Sequence, residues 1–170
     1  MRASFTNDSQ KQRRFQLNND HLEYAGFWSR MGAFLIDAIL LAIIIYPLLI
    51  AIYGWEIFAS TSMVNGPADF LISWVFPFIA TILFWLHQRA TPGKMAISAQ
   101  VVDAQSGDTI TFGQALLRYL GYFLSMIPLG LGLLWVAFDS RKQGWHDKIA
   151  GTVVVKKVKT GPEPVQFNRR

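Results

Sequence analysis

The chain contains no cysteine, which removes a disulfide framework, a thiolate nucleophile and a thiolate metal site from consideration. Charge is also scarce: 16% of the 170 residues are Asp, Glu, Lys or Arg, against roughly 25% in a soluble domain. Three scattered histidines make no metal-binding pattern, so no metal is expected, and no internal repeat is evident. "LGLGLLW" lacks the third glycine and the strand-to-helix setting of a dinucleotide fingerprint, and no phosphate-binding P-loop is present. His146 stands beside Asp147, but no serine sits in a nucleophile elbow, so no catalytic residue, no cofactor and no enzymatic activity are expected.

What is abundant is apolar: 52% of residues, gathered into blocks. Met31 to Tyr53 has only Asp37 charged, while Phe70 to Leu86 and Tyr119 to Phe138 have no charge at all. A helix rises about 1.5 Å per residue, so roughly 20 residues cross a hydrocarbon core of about 30 Å, and each block approaches that length. The first block follows a polar stretch and lacks a small-residue cleavage pattern, so it is expected to be retained rather than removed as a signal peptide. Trp28, Tyr53, Trp55, Trp85, Trp135 and Trp145 lie near block ends, where amphipathic rings prefer the interface.

Basic residues orient the blocks. Arg2, Lys11, Arg13, Arg14 and Arg30 precede the first, Arg89, Lys94 and Arg118 lie between the second and third, and eight follow Asp139, whereas Gly54 to Asp69 has none. The positive-inside bias therefore puts every connecting segment except Gly54 to Asp69 in the cytoplasm, with both termini there. Three complete spans would send the basic tail outside. Pro128, Gly130 and Gly132 offer a break in the third block, giving limbs of about Phe112 to Ile127 and Leu129 to Phe138. A re-entrant or tilted helical hairpin returns the tail to the cytoplasm, and a kinked continuous span is the competing reading. The net charge of +5 is accounted for by this orientation, so anionic lipid headgroups rather than nucleic acid are the expected partners.

Between the second and third blocks, Ile97, Ala99 and Val101 alternate with Ser98, Gln100 and Val102. "AQSG" then supplies a turn, and Asp108 to Thr111 is expected to return as the second strand of a hairpin. Thr111 and Gln114 have capping-box spacing, so a helix should begin near Phe112 and carry Arg118 to the membrane surface. A third strand is expected within Gly151 to Lys159. The fold expected is a mainly α-helical polytopic membrane protein with two transmembrane helices, a Pro/Gly-broken third hydrophobic segment and a small cytoplasmic β element. A single membrane domain over residues 20–159, with cytoplasmic loop 87–118, is flanked by a loose basic leader (1–19) and a loose tail (160–170).

Three stretches carry a family resemblance. "SRMGAFLIDAILL", with Arg30 and Asp37, resembles the opening of RDD-family membrane proteins, in which an arginine starts a transmembrane helix and an aspartate follows within it. "TPGKMAISAQVVDAQSGDTITFGQALLR" is similar to the family's Thr-x-Gly-Lys loop and the helix start after it. "RKQGWHDKIAGTVVV" resembles its terminal stretch and makes Asp147 the second signature aspartate. The resemblance covers about Ala25 to Lys156 and implies a multi-pass protein of the bacterial cytoplasmic (inner) membrane. It also implies transport, with cation and proton exchange in some members.

The residues themselves make Asp37 the centre of interest. An acid deep in a membrane helix costs about 2.5 to 3.5 kcal/mol on insertion scales, so it faces a partner or a wet cavity. Arg30 shares its helix face but lies roughly 10 Å away along the axis, which makes a direct pair doubtful. Arg118 and Asp147 are the candidates to complete a polar cluster with Arg30 and Asp37, with His87, His146 and Lys148 as secondary ones and a water file as the alternative. Two readings of Asp37 stay open: a carboxylate that exchanges a proton for a monovalent cation, and one that locks helix packing. They correspond to two functions, a small ion or solute transporter assembled as a homo-oligomer, or a membrane scaffold that holds a protein partner on its cytoplasmic face. Pro47, Pro77 and Pro128 are candidates for the broken helices that alternating access needs.

Overall fold

The computed structural model describes residues 22–157; the leader 1–19 and tail 160–170 lie outside the described residues. Strand β1 (Leu22–Tyr24) leads directly into helix α1 (Phe27–Tyr53), which is apolar around most of its circumference and leaves many of its large side chains exposed. Its 27 residues extend about 40 Å, more than a hydrocarbon core requires. Gly54 ends it in the left-handed region, φ 72°, where its N–H still reaches the Ile50 carbonyl at 2.8 Å. A 3₁₀ turn (Trp55–Ala59) precedes helix α2 (Pro67–Gln88), the second helix long and apolar enough to cross a membrane. Within α2, Leu71–Val75 widens to a π-turn, with the Phe76 N–H bonded to the Leu71 carbonyl. Pro77 follows immediately, and the wider turn accommodates its missing donor.

After α2 come the short helix α3 (Pro92–Ala96), strand β2 (Ala99–Asp103) and helix α4 (Phe112–Met126). The Thr111 capping box forms as expected: the Gln114 N–H donates to Thr111 Oγ1 (3.3 Å) and the Thr111 N–H to Gln114 Oε1 (2.9 Å). The fifteen residues of α4 span about 22 Å, too little to cross alone. The chain then turns through 114° into α5 (Leu131–Ala137), with Leu129 and Gly130 both at positive φ. The third hydrophobic segment is therefore broken at the Pro/Gly stretch, as expected. Helix α6 (Trp145–Ala150) and strand β3 (Thr152–Lys157) complete the described chain.

The sheet decides how the ends meet. Its order is β1-β3-β2, both pairings antiparallel, with Glu23 opposite Lys156 and Val101 opposite Val154. Strands that precede α1, follow α2 and follow the α4–α5 hairpin are thus hydrogen-bonded side by side, at one end of the helices. Two expectations fail here. Asp108 to Thr111 forms no strand, and β2 pairs with the C-terminal β3 instead of a local hairpin partner. The reason is the Asp103 side chain, which accepts from the Gln105 and Ser106 N–H groups and from Gln114, turning the chain away from the sheet. The core lies under the sheet: Ala25, Ile82, Trp85, Ala99, Val101, Ile110, Ala115 and Val154.

Candidate functional site

A cluster of charged side chains sits where the sheet meets the helix ends. Asp147, on the first turn of α6, is fully buried and accepts from two arginines of distant sequence. Arg30, one turn into α1, donates Nη1 to Asp147 Oδ2 at 2.5 Å. Its remaining donors are also used, Nε on the Ala25 carbonyl (2.9 Å) and Nη2 on the Lys142 carbonyl (2.6 Å). Arg118, on α4, donates Nη1 to Asp147 Oδ1 and to Thr152 Oγ1 (2.6 Å). The Gly144 N–H adds a fourth donor to the carboxylate at 3.0 Å. One aspartate therefore ties α1, α4 and the start of β3 together.

Arg118 is 0% exposed, enclosed by the protein itself. Its guanidinium lies 5.2 Å from the centre of the Trp85 ring and 5.8 Å from that of Tyr122. His146 stacks on Tyr122 with ring centres 4.0 Å apart, and its Nε2 is 3.5 Å from Asp147. Close approach here needs a glycine: a Cβ on Gly121 would stand 2.8 Å from His146 Cα.

Burial alone would raise the Asp147 carboxyl, but Arg118 and Arg30 hold it well below the usual carboxylate range. Burial pushes the His146 imidazole down to about 3, with the adjacent Asp147 opposing and Arg118 and Arg30 adding to the fall, so this ring is neutral at physiological pH.

Asp37 occupies a second, separate position. Its Oδ2 accepts from the Thr91 hydroxyl and its Oδ1 from the Gly93 N–H, each at 2.6 Å. Both donors come from the start of α3, which packs across α1. Gly93 is required there, because a Cβ would run into the Ala33 carbonyl and stand 2.9 Å from Asp37 Cγ. Among the described residues Asp37 has no ion-pair partner. Lys94 is next to this contact, its Nζ 3.5 Å from Thr91 Oγ1 and 6.0 Å from the centre of the Trp85 ring. Burial lowers the Lys94 ammonium from its ordinary value.

Of the expected residues, Arg30, Arg118, His146 and Asp147 come together, and Asp37 stands apart from them with neutral donors. The other two are elsewhere. His87 is exposed and bonds the Leu83 carbonyl one turn back, while Lys148 pairs with Asp139 at 2.6 Å. Thr91, Gly93, Lys94 and Thr152 were not among the expected site residues. The Thr-x-Gly-Lys stretch carried the signal for the first three, while nothing in the sequence marked Thr152 as a partner for Arg118.

A family model described as the RDD family matches residues 24–151. An uncharacterized protein of Rickettsia prowazekii is 39% identical over 44% of this chain, a match that spans 41% of that protein's length. Two Bacillus subtilis proteins match more broadly. YxaI is 30% identical over 78% of this chain and 97% of its own length, and YteJ, described as a membrane protein, is 29% identical over 78% and 80% respectively. No solved structure matches.

Proposed function

Because the chain belongs to the RDD family, we propose that it is a non-enzymatic transporter of the bacterial inner membrane, moving a small ion or solute by exchange with protons at Asp37. The observation that carries this reading is the contrast between the two aspartates. Asp147 is saturated by two arginines, whereas Asp37 is held only by a hydroxyl and a backbone N–H, with no cation in ion-pair range among the described residues. A carboxylate held by neutral donors can exchange a proton for a monovalent cation, and a carboxylate clamped by two guanidinium groups is a fixed strut. Thr91 supplies a neutral oxygen beside it that suits either occupant.

The basic residues of the connecting segments favour a cytoplasmic position for the sheet end of the molecule, next to anionic headgroups. Along α1 a run of large side chains, Leu35, Ile39, Ile43 and Tyr46 among them, is uncovered by the rest of the chain, which favours packing against lipid and further copies of the protein. A scaffold role is the second reading, favoured by β1, which lies at an edge of the sheet and leaves Leu22 and Tyr24 exposed.

The test is flux. The purified protein in dye-loaded liposomes, pulsed with Na⁺, Li⁺ and K⁺ across a pH series, is expected to move protons in response to one of the cations. Asp37→Asn, matched for folding, incorporation and orientation, is expected to abolish this. No flux from the unaltered protein with any cation, together with a stoichiometric partner whose binding requires the segment from Thr91 to Arg118, would transfer the assignment to the scaffold.

A further inference from the structure

The clamp leaves one side of Arg118 unused. Nη1 serves Asp147 and Thr152, but Nε and Nη2 are buried with no acceptor in hydrogen-bond geometry among the described residues, the Tyr122 side chain being a further neighbour of this guanidinium. The indole N–H of Trp85, a residue 2% exposed, is likewise without an acceptor. Lys94, whose Nζ lies 6.0 Å from the same indole ring that Arg118 faces at 5.2 Å, has no carboxylate partner among the described residues. Buried donors of this kind are costly when unmet, about 1–3 kcal/mol each and more when charged. Three basic side chains, Arg30, Lys94 and Arg118, gather around two acidic ones, Asp37 and Asp147, with His146 neutral and burial lowering the Lys94 ammonium.

We propose that this unused side is an anion site, in which the Nε–Nη2 edge of Arg118, the Trp85 indole N–H and the Lys94 ammonium hold a small anion with two acceptor oxygens, a carboxylate or a phosphate. The Nε–Nη2 edge presents two parallel N–H groups, the fork that suits a pair of oxygens on one centre, and a negative charge there offsets the desolvation of Arg118 and Lys94. The Trp85 ring lies 5.2 Å from the guanidinium, within cation–π range, and helps to hold it in place before the anion arrives. Lys94, half-buried at the margin of the cluster, is the donor that responds most to occupancy, since an anion beside it offsets the burial that lowers its proton affinity. The proposal does not rest on cation exchange at Asp37, although Lys94 adjoins Thr91, the residue that donates to Asp37.

Titration calorimetry of the full chain in phosphate-free maltoside micelles, with sodium acetate and inorganic phosphate as probes against matched sodium chloride, tests it. Saturable binding of at least one oxyanion is expected. Lys94→Met, which leaves the Asp147 clamp intact, is expected to weaken it about tenfold or more, the loss of one charged hydrogen bond, and Trp85→Phe to weaken it less. Arg118→Lys keeps the charge but not the fork and is expected to abolish oxyanion preference over chloride. No saturable heat with either probe overturns the proposal, as does unchanged affinity in both Lys94→Met and Trp85→Phe with unfolding midpoints equal to the parent. Adding phosphatidylglycerol to the micelles identifies the source: competition assigns the site to a lipid headgroup phosphate, and lack of competition to a free anion.

Discussion

Replacing Asp147 by asparagine should be the most damaging single change in the chain, and its size follows from the clamp. The carboxylate is fully buried and receives Arg30, Arg118 and the Gly144 N–H. Asparagine keeps one acceptor oxygen and turns an amide donor toward the second guanidinium. Arg118, itself 0% exposed, or Arg30, 12% exposed, is then left buried without a counter-charge. Removing one partner of a buried pair costs about 3–5 kcal/mol, a large share of the roughly 5–15 kcal/mol that a domain has in total. Asp37→Asn is the control, because its partners are neutral and asparagine can still accept from Gly93, so about 1 kcal/mol is expected. Unfolding by denaturing detergent in mixed micelles, followed by near-ultraviolet circular dichroism, compares the two. The Asp147 carboxyl is depressed in the folded chain, so its contribution is complete above the ordinary carboxylate range and is lost only as pH falls toward the depressed value. The deficit of Asp147→Asn should accordingly be equal at about pH 8 and about pH 6. The triple change Arg30→Leu, Arg118→Met, Asp147→Leu removes all three charges together and should recover most of the loss. A deficit for Asp147→Asn no larger than that of Asp37→Asn refutes the clamp.

His146 provides an acid-sensitive counterpart. Its folded value of about 3 lies below the ordinary value, so between about 6.5 and about 3 the unfolded chain binds a proton that the folded chain does not. Stability should fall with pH through that window by up to about 1.4 kcal/mol per pH unit, and His146→Phe should flatten the slope measured by unfolding at several pH values. Gly93→Ala places a methyl group against the Ala33 carbonyl and Asp37, and should cost about 1–3 kcal/mol, read as a lowered unfolding midpoint. The absence of cysteine makes site-directed labelling clean: with an impermeant maleimide on intact cells, Ser62→Cys should react, while Ser106→Cys and Lys157→Cys should react only after the membrane is opened. Equal labelling of Ser106→Cys and Ser62→Cys in intact cells contradicts the shared side of the strands.

Local chemistry was legible from sequence and long-range pairing was not. The apolar blocks, the Thr111 cap and the break near Pro128 depend on residues within a few positions of one another, and each appears where the pattern put it. The strand expected at Asp108 to Thr111 failed because Asp103 spends its side chain on the backbone just beyond β2, a use that alternation of apolar residues does not register. Strand β1 escaped notice because three residues carry no period, and its pairing with β3 joins opposite ends of the chain. The burial of Arg118 runs against every composition rule, and only a carboxylate twenty-nine positions later, at Asp147, makes it tolerable. The distance argument against an Arg30–Asp37 pair was sound: each goes to a different partner.

The strand order also has a consequence in time. The central strand, β3, is the last described element to be synthesised, and it separates β1 from β2. Neither outer strand has its partner while translation is in progress, and Asp147, which neutralises Arg30 and Arg118, leaves the ribosome only just ahead of β3. The two long apolar helices can be inserted early, but the charged junction stays open until the C-terminal segment arrives and closes it in one step. A chain cut short before Thr152 therefore keeps every long apolar segment and lacks the strand that joins β1 to β2.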